Sequence, residues 1–232
     1  MREIKPGQIA FFLLLLALIL GLALGNTYLF SAILPVGDFR GLILVAAAIL
    51  LIYLYAFLIY RAFLFFMPLT EGAVDEGTPE EFVANVNILF YLLLFNSLIR
   101  THFIPVPLLR LVYLGLGAHL GSNTYSAGVL LDPPLTRIGG NTIIGHDAVI
   151  FAHVIEGNKL ELKAVRIGAN VTIGAMAVVM AGVVIGDGAI VSAGAVVIKD
   201  TAIGAGEVWG GIPARLLRRG GQAEAAPSKR QA

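Results

Sequence analysis

The chain is expected to be mainly β. Its C-terminal half reads as a parallel β-helix of six-residue repeats, and its N-terminal third as a transmembrane helical hairpin. Three observations carry this expectation. Isoleucine or valine recurs at six-residue spacing at Ile138, Ile144 and Ile150, and again from Ile167 through Ile173, Val179, Ile185, Val191 and Val197 to Ile203. Glycine follows many of them, at 139, 145, 168, 174, 186 and 204. Residues 8–69 hold only three charged side chains, Asp38, Arg40 and Arg61.

The repeat has a physical reading. Self-similarity at a fixed period marks a solenoid. Each six-residue unit is one short strand and a corner, and three units close one triangular coil. The aliphatic residue points inward and stacks on its counterpart one coil away. Glycine relieves crowding at corners, and small or β-branched residues such as Thr142, Ala148 and Val171 come four positions after the aliphatic one. The register extends back through Leu120, Ser126 and Asp132 and breaks once, between Ile150 and Ile167, whose separation is not a multiple of six. Residues 153–166 therefore form an excursion from the regular coil, where chemistry tends to sit.

Two apolar runs, residues 9–29 and 42–66, are each long enough to cross a bilayer as helix, which takes about 20 residues. A secretory signal would have a shorter apolar core and a small-residue cleavage site, so a retained hairpin is expected, with a polar turn at Pro35, Gly37, Asp38 and Arg40. Arg2, Lys5 and Arg61 flank the spans and place both termini in the cytoplasm. Thr78-Pro79-Glu80-Glu81 reads as a cap, a proline at the first helical position and acids in the first turn. The helix that follows, to about Arg100, is apolar but carries Asn85, Asn87, Asn96 and Ser97, and is expected to lie at the interface or under the β-helix. The domains are then residues 1–70 (anchor), 71–119 (interfacial and connecting), 120–219 (β-helix) and 220–232 (a disordered tail).

Composition narrows function. Hydrophobic residues make up 58% of the chain and charged ones 13%, so the bilayer is an expected partner. A net charge of +1 gives no reason to expect nucleic acid. The absence of cysteine removes disulfides, thiolate catalysis and cysteine metal sites.

Residues 121–219 resemble the hexapeptide-repeat acyltransferases, above all the xenobiotic and sugar O-acetyltransferase branch. The likeness rests on His153 before an excursion that re-enters the coil at Val165-Arg166-Ile167-Gly168. It rests also on the closing run from Gly194 to Asp200 followed by Gly211-Ile212-Pro213-Ala214-Arg215, where Ile212 replaces the usual asparagine. Residues 153–168, with Glu207-Val208-Trp209, carry a closer resemblance, to the membrane-embedded C-terminal module of polylysine-synthetase-type peptide synthetases. The resemblance implies a left-handed coil, a homotrimer with sites between neighbouring β-helices, and acetyl-CoA or acyl-CoA as co-substrate.

On this reading His153 is the general base that takes the proton of a hydroxyl or amine acceptor, since imidazole titrates near neutrality. Glu156 and Glu161 are its candidate carboxylate partners. Gly174, Ala175, Ala193 and Gly194 are candidates for the pantetheine arm and the oxyanion, and Lys199 and Arg215 for the CoA phosphates. No metal set is expected. The acceptor should be membrane-proximal or lipid-linked. Two alternatives are a non-catalytic scaffold or condensation-type partner module, and a metal enzyme like the γ-class carbonic anhydrases. The latter need three histidines, and His146 and His153 do not share a coil position.

Overall fold

The computed structural model describes residues 3–33, 37–101 and 103–221. The expected tail from residue 222 onward, and His102, lie outside the described residues. The chain divides into two compact units. The first takes the chain up to Ala118 together with Leu131–Leu135 and His153–Lys163, and the second takes His119–Leu130, Thr136–Ala152 and the chain from Ala164 on.

In the first unit, α1 (Pro6–Ile33) and α2 (Arg40–Phe66) are the two apolar runs, α1 longer than its run at both ends and α2 at its start. Ala23 and Ala56 are fully buried, as close helix packing needs. Asn26 Nδ2 reaches Tyr55 Oη at 2.9 Å, a polar link between the two helices. Most of their large apolar side chains stay exposed, Phe65 and Phe66 at 80% and 78%. Strand Gly72–Val74 follows.

The third helix begins as its sequence dictates. Thr78 Oγ1 accepts from the Glu81 amide at 3.3 Å, and α3 (Pro79–Phe90) starts on Pro79. Glu81 is buried; its Oε2 accepts from the Gly77 amide at 2.9 Å and pairs with Lys5 Nζ at 2.6 Å. A single π-helical turn, Tyr91–Phe95, then leads into α4 (Asn96–Arg100). Phe90 sits among Phe12, Tyr60 and Phe63 at ring-centroid separations of 5.2–5.9 Å, the aromatic centre of the helical packing. By length and composition α1, α2 with its preceding turn, and Pro79–Arg100 could each cross a membrane. A last short helix, α5 (Val106–Gly115), precedes the repeats.

The second unit is three parallel sheets, the faces of a coil. Inward positions stack in register: Leu120 on Ile138, Ile167, Ile185 and Ile203 on one face. Ser126, Ile144, Ile173, Val191 and Trp209 stack on the second. Leu130, Ile150, Val179 and Val197 stack on the third. One regular coil carries the chain from Ile167 to Ile185, through Ile173 and Val179. The coil from Ile138 to Ile167 is longer, and the surplus is the excursion His153–Lys163. Strand Val208–Gly210 ends the stack by pairing antiparallel with Arg215–Arg218.

Two expectations need correction. The register breaks twice, not once, and Asp132 is not an inward coil position. Leu130, not Asp132, stacks on Ile150, and the chain leaves the coil at Leu131. The reason is Pro133-Pro134: neither residue can donate to a ladder, so the strand stops and a 3₁₀ turn forms, with the Leu135 amide on the Asp132 carbonyl at 3.1 Å. Val154, which falls four positions after Ile150 and so at a corner by the six-residue count, likewise belongs to the excursion.

Glycine matters most where coils meet. A Cβ at Gly139 would lie 2.6 Å from both the Ala169 nitrogen and the Gly168 carbonyl carbon, backbone atoms that cannot turn away. Gly139→Ala is expected to cost about 1–3 kcal/mol through overpacking, measurable as a lower unfolding midpoint. An unchanged midpoint would contradict this packing.

Candidate active site

The excursion His153–Lys163 is a β-hairpin. His153–Glu156 pairs antiparallel with Lys159–Leu162, His153 facing Leu162 and Ile155 facing Leu160. Gly157, at φ +61°, makes the turn. Gly72–Val74 adds a third strand on the far side of Lys159–Leu162. Side chains alternate across a strand, so His153, Ile155, Leu160 and Leu162 share one face, and Val154, Glu156, Lys159 and Glu161 share the other.

The first face borders a cavity of about 470 Å³ whose lining residues all belong to the first unit. The helical wall presents Ala84, Ile88 and Leu92 with Asn87 and Tyr91, then Asn96 and Arg100. The π turn explains the last two. It inserts one residue, so Asn96 follows Tyr91 after five positions, its amide bonded to the Tyr91 carbonyl. Single π turns of this kind are frequent at functional sites.

His153 Nδ1 lies 2.7 Å from Asp132 Oδ2. The His153 side chain is 34% exposed and that of Asp132 only 7%. A carboxylate can only accept, so the neutral imidazole carries its proton on Nδ1 and leaves the Nε2 lone pair as acceptor. The hydrogen bond to Asp132 raises the His153 pKa above the ordinary histidine value, with burial opposing and the charge of Asp132 adding to it. This is the arrangement of a base held and oriented by a carboxylate.

The sequence-predicted residues divide clearly. Glu156 and Glu161 are carried on the far face of the hairpin, border no part of the cavity, and Glu161 pairs with Lys163 at 3.2 Å. The carboxylate brought to His153 is Asp132, which repeat arithmetic had placed inside the coil. The signal that could have found it is an aspartate immediately before two prolines in an otherwise regular run.

In the second unit, Gly174, Ala175, Ala193 and Gly194 come together at one corner of successive coils. A Cβ on Gly174 would strike the Ala193 backbone, and the Gly194 amide bonds the Ala175 carbonyl at 2.9 Å. The Gly174 amide is likewise engaged, by the Val191 carbonyl at 2.7 Å. Of the four, therefore, only the Ala175 and Ala193 amides remain oxyanion candidates. Arg215 pairs with Gly210, the residue that follows Trp209 in the stack on Val191. Lys199 lies at a different corner, exposed in the turn where the Asp200 amide bonds Ala181.

Residues 164–199 match the family described as bacterial transferase hexapeptide (six repeats). A Bacillus subtilis (strain 168) protein named "Putative acetyltransferase YvoF" is 42% identical over 88 residues, 38% of this chain and 50% of that protein. Gamma carbonic anhydrase 1, mitochondrial, of Arabidopsis thaliana is 40% identical over 84 residues, 36% of this chain and 26% of that protein. The solved hexapeptide-repeat acetyltransferase of Vibrio cholerae O1 biovar eltor, complexed with acetyl coenzyme A, aligns at TM-score 0.42 and 27% identity, covering 45% of this chain and 61% of that one. The chain thus spans half the length of the Bacillus relative and about a quarter of the plant one.

Proposed function

We propose that this chain is a membrane-anchored acyltransferase that moves an acyl group from CoA to a hydroxyl or amine of a membrane-proximal or lipid-linked acceptor. The observation that carries the reading is the 2.7 Å contact of His153 with Asp132 at the edge of an apolar cavity. The transferase repeat and the acetyltransferase name of the Bacillus relative support the reaction class. The long apolar helices support the anchor, with the β-helix on the cytoplasmic side of a bacterial inner membrane. Acyl-CoA would lie along the left-handed coil, at a trimer interface, against Ala175 and Ala193, with Lys199 and Arg215 toward its phosphates.

In the transfer, His153 Nε2 takes the acceptor proton as the acceptor heteroatom bonds to the thioester carbonyl carbon. Asp132 stabilises the imidazolium that results. The carbon–sulfur bond then breaks, and the leaving thiolate takes the proton back from His153. The test is the full chain in lipid nanodiscs, given radiolabelled acetyl-CoA and a total membrane lipid extract. Label should pass to the organic phase with stoichiometric release of free CoA thiol. If no acyl-CoA is consumed and a carrier-protein enzyme co-purifies instead, the partner-module reading related to peptide synthetases replaces this one.

The plant relatives favour one other reading, a metal enzyme. Among the described residues no three His, Cys, Asp or Glu side chains come together as a metal set within one chain. Stoichiometric zinc in the purified protein would favour that reading.

A further inference from the structure

Tyr91 is only 6% exposed, and its hydroxyl has no hydrogen-bond partner among the described residues. Buried hydroxyls are almost always paired, because desolvation without a partner is costly. Tyr91 borders the same cavity as His153 and Asp132. The rest of that lining is dominated by aliphatic side chains, among them Leu69, Ile88, Leu131, Ile155, Leu160 and Leu162. Of the other polar groups there, Asn87 Oδ1 already accepts from Tyr60 Oη at 2.7 Å, and Asn96 Oδ1 from Arg100 Nε at 3.1 Å. The cavity lining is therefore mainly aliphatic, and Tyr91 brings to it a buried hydroxyl without a partner among the described residues.

We infer that this cavity holds the hydrocarbon body of an amphiphilic acceptor bearing a single alcohol or amine head, and that the Tyr91 hydroxyl hydrogen-bonds that head beside His153. The inference takes its chemistry from the acyltransferase reading, and its class of occupant from the cavity itself. A sugar fits poorly: each extra hydroxyl set against leucine and isoleucine loses its water without gaining a partner. A hydrocarbon chain gains from the same walls by removing apolar surface from water. The volume lies within the range of small-molecule sites, about 300–1,000 Å³.

The probe is dodecanol carrying a diazirine on its chain, photolysed with the full chain in phosphatidylcholine nanodiscs, the adducts being mapped by mass spectrometry. Adducts are expected within residues 84–92 and 155–162, suppressed by unlabelled dodecanol and not by glucose. Leu160→Trp, which fills the cavity, should abolish them. Tyr91→Phe should weaken dodecanol competition about three- to tenfold while leaving the melting temperature unchanged or higher, since no native bond is lost. A lower melting temperature in Tyr91→Phe would instead mark the hydroxyl as structural and overturn its assigned role. Adducts spread over α1 and α2 that dodecanol does not suppress, or equal competition by glucose, would overturn the assigned occupant. Acetyl transfer is read separately. Site-specific adducts without transfer to dodecanol uphold the occupant and sink the acyltransferase reading. Transfer to sugars without cavity adducts sinks the occupant alone.

Discussion

His153→Ala is expected to lower acyl transfer by about 10²–10⁴-fold, the range contributed by a positioned general base. The loss should fall on kcat, because the imidazole acts on a proton that moves only as the new bond forms. Stability should change little by comparison: the side chain is one-third exposed, and the hairpin is held by its own ladder and by the added strand Gly72–Val74. The measurement is single-turnover transfer from radiolabelled acetyl-CoA by both proteins, with their melting curves. Equal rates would remove His153 from the mechanism.

Asp132→Asn is expected to lower the rate less, about ten- to a thousandfold, and to move the pH profile. As a base His153 must be neutral. Its pKa is raised chiefly by the hydrogen bond to Asp132, so the wild-type rate should climb with pH through a value above that of ordinary histidine. With the carboxylate gone, burial is the remaining influence and acts downward, so the limb should shift to lower pH. The plateau falls because an asparagine NH₂ can donate to Nδ1, which places the imidazole proton on Nε2 and removes the acceptor. Stability follows the same linkage. The pair stabilises the folded state fully below the unfolded histidine pKa, and this contribution fades as pH rises through the higher folded value. In the variant, with burial alone acting, that dependence should invert, stability falling as pH drops. An unshifted limb would mean that Asp132 does not govern His153.

Much of the fold is written in the sequence at a period that tolerates little ambiguity. Residues such as Ile144, Ile173 and Val191 stack where six-residue spacing puts them, because each inward position must fill the same volume one coil after another. The hairpin announced itself as an interval between Ile150 and Ile167 that the six-residue period cannot divide. The partner of His153 did not. Asp132 falls six positions after Ser126, so counting alone made it a coil position, and only the local inability of Pro133-Pro134 to join a ladder removes it. Glu156 and Glu161 looked suitable by proximity in sequence, yet the two-residue period of a strand turns both from the His153 face. The π turn at Tyr91–Phe95 has no compositional mark, so the alignment of Tyr91 with Asn96 could not be read from an apolar helix.

The first unit is also discontinuous, and this bears on how the protein is made. Its helices leave the ribosome early, but its cavity needs Leu131–Leu135 and His153–Lys163. At about 5–20 residues per second, Lys163 follows Ala118 by several seconds. During that interval the wall formed by α3 and α4 faces its surroundings without the hairpin that completes it. The helical segment is thus not a detachable appendage. A chain cut before the repeats would carry its long apolar helices and half of the cavity wall, and transplanted repeats would leave behind the wall that bears Tyr91.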